Sequence, residues 1–297
     1  MVDAGWAFAR YEAVRDALPD AEFPAQVTRI ANLSAVVGDH DTFLLDAFGV
    51  LNIGDRAIPG AVDFVAALRR AGKRVAVVSN SASVPTAATR AKFAALGFDF
   101  APEEVVTSRD ALKAALAQEP PRLWGVMAAA HSQIDELGIA AHALTDDPGG
   151  YAQAEAFILL GSAGWTEARQ ALLIDSLRRT PRPVLVGNPD LVAPREDGLS
   201  LEPGHFAHDL AQKTGCRPVF HGKPFPGLFA LAESRFGPFD PARTVMVGDT
   251  LHTDVLGGAA FGLRTCLLHG YGLLAGEDVE GLTAASGILP DIVAERL

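Results

Sequence analysis

Apolar residues along this chain fall into two rhythms. Short continuous runs, FLLDAFGVLN (43–52), RVAVVSNS (74–81), RTVMVGD (243–249) and RTCLLH (264–269), predict strands buried on both faces of a parallel sheet. Between them the spacing turns helical. IPGAVDFVAALRRAGKR opens at Pro59 and Gly60, stops at Gly72, and sets Val62, Val65 and Leu68 on one face. VPTAATRAKFAALGF stops at Gly97, and GLFALAESRFG follows the same pattern. Strand and helix in alternation predict an α/β fold with a doubly wound parallel sheet. Such sheets bind ligands beyond the carboxyl ends of their strands.

Two segments stand outside that alternation. Residues 1–38 read as a helical leader, with FARYEAVRDAL at helical spacing and no chemistry of its own. From about residue 120 a second set begins. LWGVMA, AFILLG and PVLVGN read as strands and WTEARQALLIDSLRR as a helix, while LTDDPGGY and VAPREDGLSLEPG read as loops. The division expected is a core of 1–119 plus 217–297 and an inserted α/β domain over 120–216. The first sheet is expected to resume with PVFHGKP.

Composition narrows the classes. A length of 297 residues suits one large domain or two moderate ones, and 49% hydrophobic with 21% charged residues is ordinary for a globular protein. A net charge of −11 gives no support to nucleic-acid or anionic-membrane binding. It does not exclude phosphate substrates, because a bound divalent cation reverses the field locally. Cys216 and Cys266 have no CxxC or metal-like spacing and read as reduced, structural thiols. The first twenty residues hold no apolar signal segment, and no apolar run reaches spanning length, so a cytoplasmic chain is expected.

Four stretches lie at strand ends or just after them: Asp46 in DAFGVL, Ser79 and Asn80 in VVSNS, Lys223 in HGKP, and Asp249 and Asp254 in VGDTLHTD. Singly, each has a plainer reading as a turn, a cap or a solvated lysine. Together, on one edge of a parallel sheet, they supply what phosphoryl transfer needs. That is a carboxylate nucleophile, a hydroxyl and an amide for phosphoryl oxygens, a lysine against their charge, and further carboxylates for Mg²⁺.

These motifs, with IPGA (58–61) and GNPD (187–190), resemble the haloacid dehalogenase (HAD) superfamily, class IIA, the NagD-like and pyridoxal phosphate phosphatase-like hydrolases. The resemblance implies a Rossmann-like core with a C2-type cap inserted between the second and third motifs. It implies a Mg²⁺-dependent phosphatase acting on a small phosphorylated metabolite. Asp46 would be the nucleophile, Ser79 and Asn80 the phosphate binders, and Lys223 the charge-balancing lysine. Asp46, the main-chain oxygen of Phe48, Asp249 and, through water, Asp254 would hold the metal. Asn188 and Asp190 read first as a turn, and the resemblance implies a cap loop over the site; Arg195 and Glu196 read first as a solvated loop, with Arg195 as an anion contact the alternative. Caps of this class take part in dimers, so a homodimer is expected by resemblance alone.

Phe48 departs from the pattern. The family places an aspartate there, which protonates the leaving oxygen and later activates water; such help is worth roughly 10²–10⁴-fold. Four readings stay open: a substrate with a good leaving group, such as an aryl or acyl phosphate; a surrogate for the acid, with Asp55 and His252 nearby and Asn52 able to position water; dehalogenase or phosphonatase chemistry, which the cap position and the lone cap lysine, Lys213, disfavour; or a binding or sensing protein without turnover. His131, His142, His205 and His208 show no paired-ligand spacing, and Trp124 and Trp165 read as packing.

Overall fold

A computed structural model describes residues 2–195 and 198–297, so Glu196 lies outside the described residues. Seven parallel strands form the larger sheet, in the order 28–32, 292–296, 264–268, 244–248, 42–45, 74–79 and 105–107. The central strand Thr42–Leu45 shows why its run is continuous. Phe43 and Leu45 pack with Phe64, Val65 and Leu68 of helix Ala61–Arg70. Leu44 faces the other way, onto Leu228 and Phe229 of helix Pro226–Phe236. Both faces are covered, so neither set of alternate positions can be polar.

Five parallel strands make the second sheet, in the order 219–220, 184–186, 156–159, 124–127 and 141–143. Its helices Glu167–Arg179 and Pro203–Thr214 bury Leu173, Ile174, Leu177, Ala207 and Leu210 against Phe157, Leu159 and Val186. Trp124 sits in the core on the opposite face, whereas Trp165 is half-buried and bonds Gln170.

Several elements differ from the sequence reading. Val219–Phe220 does not rejoin the first sheet; it pairs with Leu185 and Val186 at the edge of the second. The first sheet resumes only at Thr244. Thr28–Asn32 forms the sheet's edge and pairs with Ile292–Arg296, which in turn pairs with Arg264–Leu268. The edge strand lies inside the segment read as a helical leader. Most of its residues are exposed, so it lacks the apolar run that marks a buried strand. The segment after GNPD is a hairpin, Val192–Arg195 with Gly198–Leu201, rather than a loop. Pro194 is tolerated there because the ribbon has only two strands. The second half of the expected loop LTDDPGGY, from Pro148, is instead the start of a short helix, Pro148–Gln153, with the proline at its first position.

Two tethers cross the seam between the sheets. Arg109 is fully buried. It donates to Ala82 O, to Gln133 O (both 3.0 Å) and to Glu136 Oε2 (3.1 Å), tying loop 131–136 to the first sheet's helices. On the opposite flank lies helix Ala4–Glu12, capped by Asp3. Its Trp6 ring lies against His205, while Phe8 and Tyr11 lie against His252, with the Tyr11 ring stacked at 4.9 Å.

Candidate active site

Strand Thr42–Leu45 delivers Asp46 to the sheet edge, where its main-chain N–H continues the pairing by donating to Val247 O at 2.9 Å. The chain then folds back: Leu51 and Asn52 both donate to Ala47 O, and Gly49 donates to Asn52 O. No described residue donates to Phe48 O, so this carbonyl keeps its lone pairs. Gly49 has φ 74°, and a Cβ there would stand 2.5 Å from Asp249 Oδ2. Gly272 also has positive φ, and a Cβ on it would overlap the same oxygen. Backbone thus encloses Asp249 on two sides where only glycine fits.

The carboxyl oxygens of Asp46, Asp249 and Asp254 come within 4.8 Å of one another. Asp249 accepts from Leu273 N (2.7 Å) and Thr250 Oγ1 (3.0 Å), and Asp254 accepts from Thr250 N (3.1 Å). Strand Thr244–Gly248 and the wide π-type turn Leu251–Val255 position this pair. Lys223 is 1% exposed and donates to Asp46 Oδ1 at 2.6 Å. Its Nζ is also 2.7 Å from Asp254 Oδ1, in charge contact but off the line of a hydrogen bond. Burial alone would lower the lysine, yet Asp254 and Asp46 outweigh it and hold it well above its usual range. Burial raises Asp254 to about 6, with Asp46 adding to it and Lys223 opposing. Burial, then Asp254 and Asp46, push Asp249 well up.

One ammonium faces three carboxylates, and Asp254 Oδ1 has no hydrogen bond. An all-oxygen, electron-rich cage of this kind fits a hard divalent cation such as Mg²⁺. Asp46, Asp249, Asp254 and the Phe48 carbonyl are the residues that would hold it.

Ser79 ends strand Arg74–Ser79, and its Oγ accepts from Ser81 N at 3.3 Å. Asn80 differs from expectation. Its Nδ2 donates to Asp190 Oδ1 (2.7 Å) and Lys223 O (2.9 Å). Its Oδ1 accepts from Lys223 N (2.7 Å) and Ser108 Oγ (3.1 Å). The amide is fully engaged, so only the Asn80 main chain is left for a phosphoryl oxygen. Asn188 turns its side chain inward, accepting from Asp190 N and donating to Glu202. Burial pushes Asp190 up to about 7.

Asp46, Phe48, Ser79, Asn80, Asn188, Asp190, Lys223 and Asp249 line one cavity of about 490 Å³, with Asp254 buried behind Lys223 and Thr250. Tyr11, Phe48, Val84, Phe93 and Val192 supply apolar wall, and Lys92, His131 and Arg195 stand among its cationic or basic residues. Arg195 is bonded to buried Glu202 at 2.9 Å. Two expected surrogates for the acid are absent from the wall. Asp55 is almost wholly exposed and pairs with Lys92 at 3.0 Å; His252 is buried, held by Glu12 at 2.5 Å. Asn52 does line it, donating to Gly54 O. The sequence reading missed Tyr11 and Glu202. Amphipathic spacing marks Tyr11 only as a packing residue, and nothing local marks Glu202.

A haloacid dehalogenase-like hydrolase model matches residues 43–140, and a HAD-hydrolase-like model matches residues 220–297. Mouse chronophin is 32% identical over 247 residues, covering 80% of this chain and 84% of its own. Chicken glycerol-3-phosphate phosphatase is 35% identical over 291 residues, covering 89% and 91%. Among solved structures, p-nitrophenyl phosphatase from Archaeoglobus fulgidus superposes with a TM-score of 0.73 at 24% identity, covering 87% of this chain and 97% of that one. A glycerol phosphate phosphatase from Mycobacterium tuberculosis, in complex with magnesium, gives 0.63 at 26% identity, covering 79% and 69%. No described helix is long and apolar enough to cross a membrane.

Proposed function

The chain belongs to the haloacid dehalogenase-like hydrolases, in the class IIA group of phosphatases, and we propose that it cleaves a small phosphorylated metabolite through an aspartyl-phosphate on Asp46. The observation that carries this reading is the Asp46–Lys223 pair standing inside a cluster of three carboxylates at the strand ends. Lys223 holds Oδ1 of Asp46, leaving Oδ2 to attack phosphorus. Ser79 Oγ, the Asn80 main-chain N–H and Lys223 receive the phosphoryl oxygens. The bond to the leaving oxygen breaks as the Asp46–phosphorus bond forms. Water then attacks phosphorus, the Asp46–phosphorus bond breaks to restore the carboxylate, and inorganic phosphate leaves with the water's oxygen, its proton passing to solvent. Mg²⁺, when bound among Asp46, Asp249, Asp254 and the Phe48 carbonyl, would offset the excess negative charge and polarise the phosphoryl group.

Phe48 sets the substrate class. The cavity is walled by a ring where the family has an acid, so departure of the leaving group without a proton is favoured. Aryl and acyl phosphates meet that condition, and Phe48, Phe93 and Val192 suit an apolar leaving group.

The test is phosphate release from p-nitrophenyl phosphate by the wild type and Asp46→Asn, with and without Mg²⁺. Release is expected only from the wild type and only with the metal. Release without metal, or from Asp46→Asn, would sink the assignment.

A further inference from the structure

A tyrosine from outside the family's motifs lines this cavity. Tyr11, on the N-terminal helix, is 3% exposed yet lines the wall with Asp46 and Phe48. Low exposure does not keep it from a ligand, since Lys223 in the same wall is 1% exposed. Its ring is fixed by stacking on His252 at 4.9 Å, and that imidazole is itself held by Glu12. The hydroxyl oxygen accepts from Leu191 N at 3.1 Å, so one lone pair is used and the orientation is set. Its proton has no acceptor among the described residues. Several other donors of the wall are committed: Lys223 donates to Asp46, Thr250 to Asp249, Asn52 to Gly54 O and Arg195 to Glu202. Ser79, Ser83, Thr253 and His131 also line it, but none of them is fixed by both a ring stack and a backbone hydrogen bond as Tyr11 is.

Resting on the phosphatase reading above, we propose that Tyr11 is a catalytic residue whose hydroxyl donates a hydrogen bond to the leaving oxygen, in place of the acid missing at Phe48. As the phosphorus–oxygen bond breaks, its electron pair stays on the leaving oxygen while the Asp46–phosphorus bond forms. Tyr11 stabilises that charge without giving up its proton, and the departing oxyanion is protonated by solvent water. Burial, then the charge of Asp190, holds the phenol well above its usual value, so it stays a donor across the working pH range. Fixed donors aimed at developing negative charge act most strongly where that charge is largest. The benefit therefore grows as the leaving group becomes worse.

The experiment compares kcat/KM of the wild type and Tyr11→Phe with Mg²⁺, on p-nitrophenyl phosphate and benzyl phosphate. The variant keeps the ring and loses only the hydroxyl. The expected result is roughly a tenfold or greater loss on benzyl phosphate against about twofold or less on p-nitrophenyl phosphate. The ratio of the two losses does not depend on how much variant is folded. Equal losses on both esters overturn the proposal and leave Tyr11 a structural residue. A wild type active on p-nitrophenyl phosphate and inert on benzyl phosphate overturns it too. A wild type inert on both removes the phosphatase reading, and this proposal with it.

Discussion

At position 48 the chain places a phenyl ring where the family resemblance implies a carboxyl group. Restoring the acid with Phe48→Asp should raise kcat for benzyl phosphate by about tenfold or more, while leaving p-nitrophenyl phosphate within about threefold. Initial rates on the two esters decide it. Unchanged turnover of benzyl phosphate would mean that a carboxyl group at this position cannot reach the leaving oxygen. Sequence made most of this centre legible. Asp46, Ser79, Lys223, Asp249 and Asp254 all end or follow apolar runs; the structure brings the first four to one cavity and clusters Asp254 with Asp46 and Asp249. The role of the Asn80 side chain was not legible. An amide's partners come from distant segments, and no local spacing encodes them.

Helices and strands were legible in proportion to how much apolar surface each buries. Strands 42–45, 74–79 and 244–248 have continuous buried runs and stood out. Strand Thr28–Asn32 and hairpin 192–201 bury little and did not. Helix Pro203–Thr214 offers a test through His208, which stacks on Phe220 at 4.9 Å. Burial, then the charges of Arg10 and His205, lower this imidazole to about 4. The unfolded chain, with an ordinary value near 6.5, therefore binds a proton that the folded chain refuses. Stability is unaffected above about pH 6.5, falls as pH drops from there to about 4, and the loss approaches roughly 3 kcal/mol at most. Urea midpoints at pH 7.5 and 4.5 should differ less in His208→Phe than in the wild type. The same pH dependence in both would show that another group sets the slope.

Across the molecule, the two sheets meet at a charge-rich seam tied on either flank by Arg109 and by the N-terminal helix. Arg109→Met would leave the buried Ala82 carbonyl and the part-buried Gln133 carbonyl without their donor, while Glu136 keeps Lys113, at a cost of about 1–3 kcal/mol. Chemical denaturation measures it; a change under 1 kcal/mol would show that the tether is dispensable. The acid cluster gives a second test. A cation at a hundred times its dissociation constant stabilises the folded state by about 2.7 kcal/mol. Mg²⁺ should therefore raise the melting temperature of the wild type by several degrees, and that of Asp249→Asn much less. An equal rise in both would place the cation elsewhere.

The Asn80 amide joins segments that lie 28, 110 and 143 positions away along the chain, at Ser108, Asp190 and Lys223. It behaves like a lock with several keys. Until the helix after the second motif, the loop over the site and the lysine turn have all arrived, the lysine has no fixed place beside the nucleophile. A chain folded only in its first half would thus carry Asp46 and yet be chemically silent. During synthesis, phosphate chemistry would switch on in one step, only after residue 223 and the later acids Asp249 and Asp254 have docked, rather than grow with the length of the nascent chain.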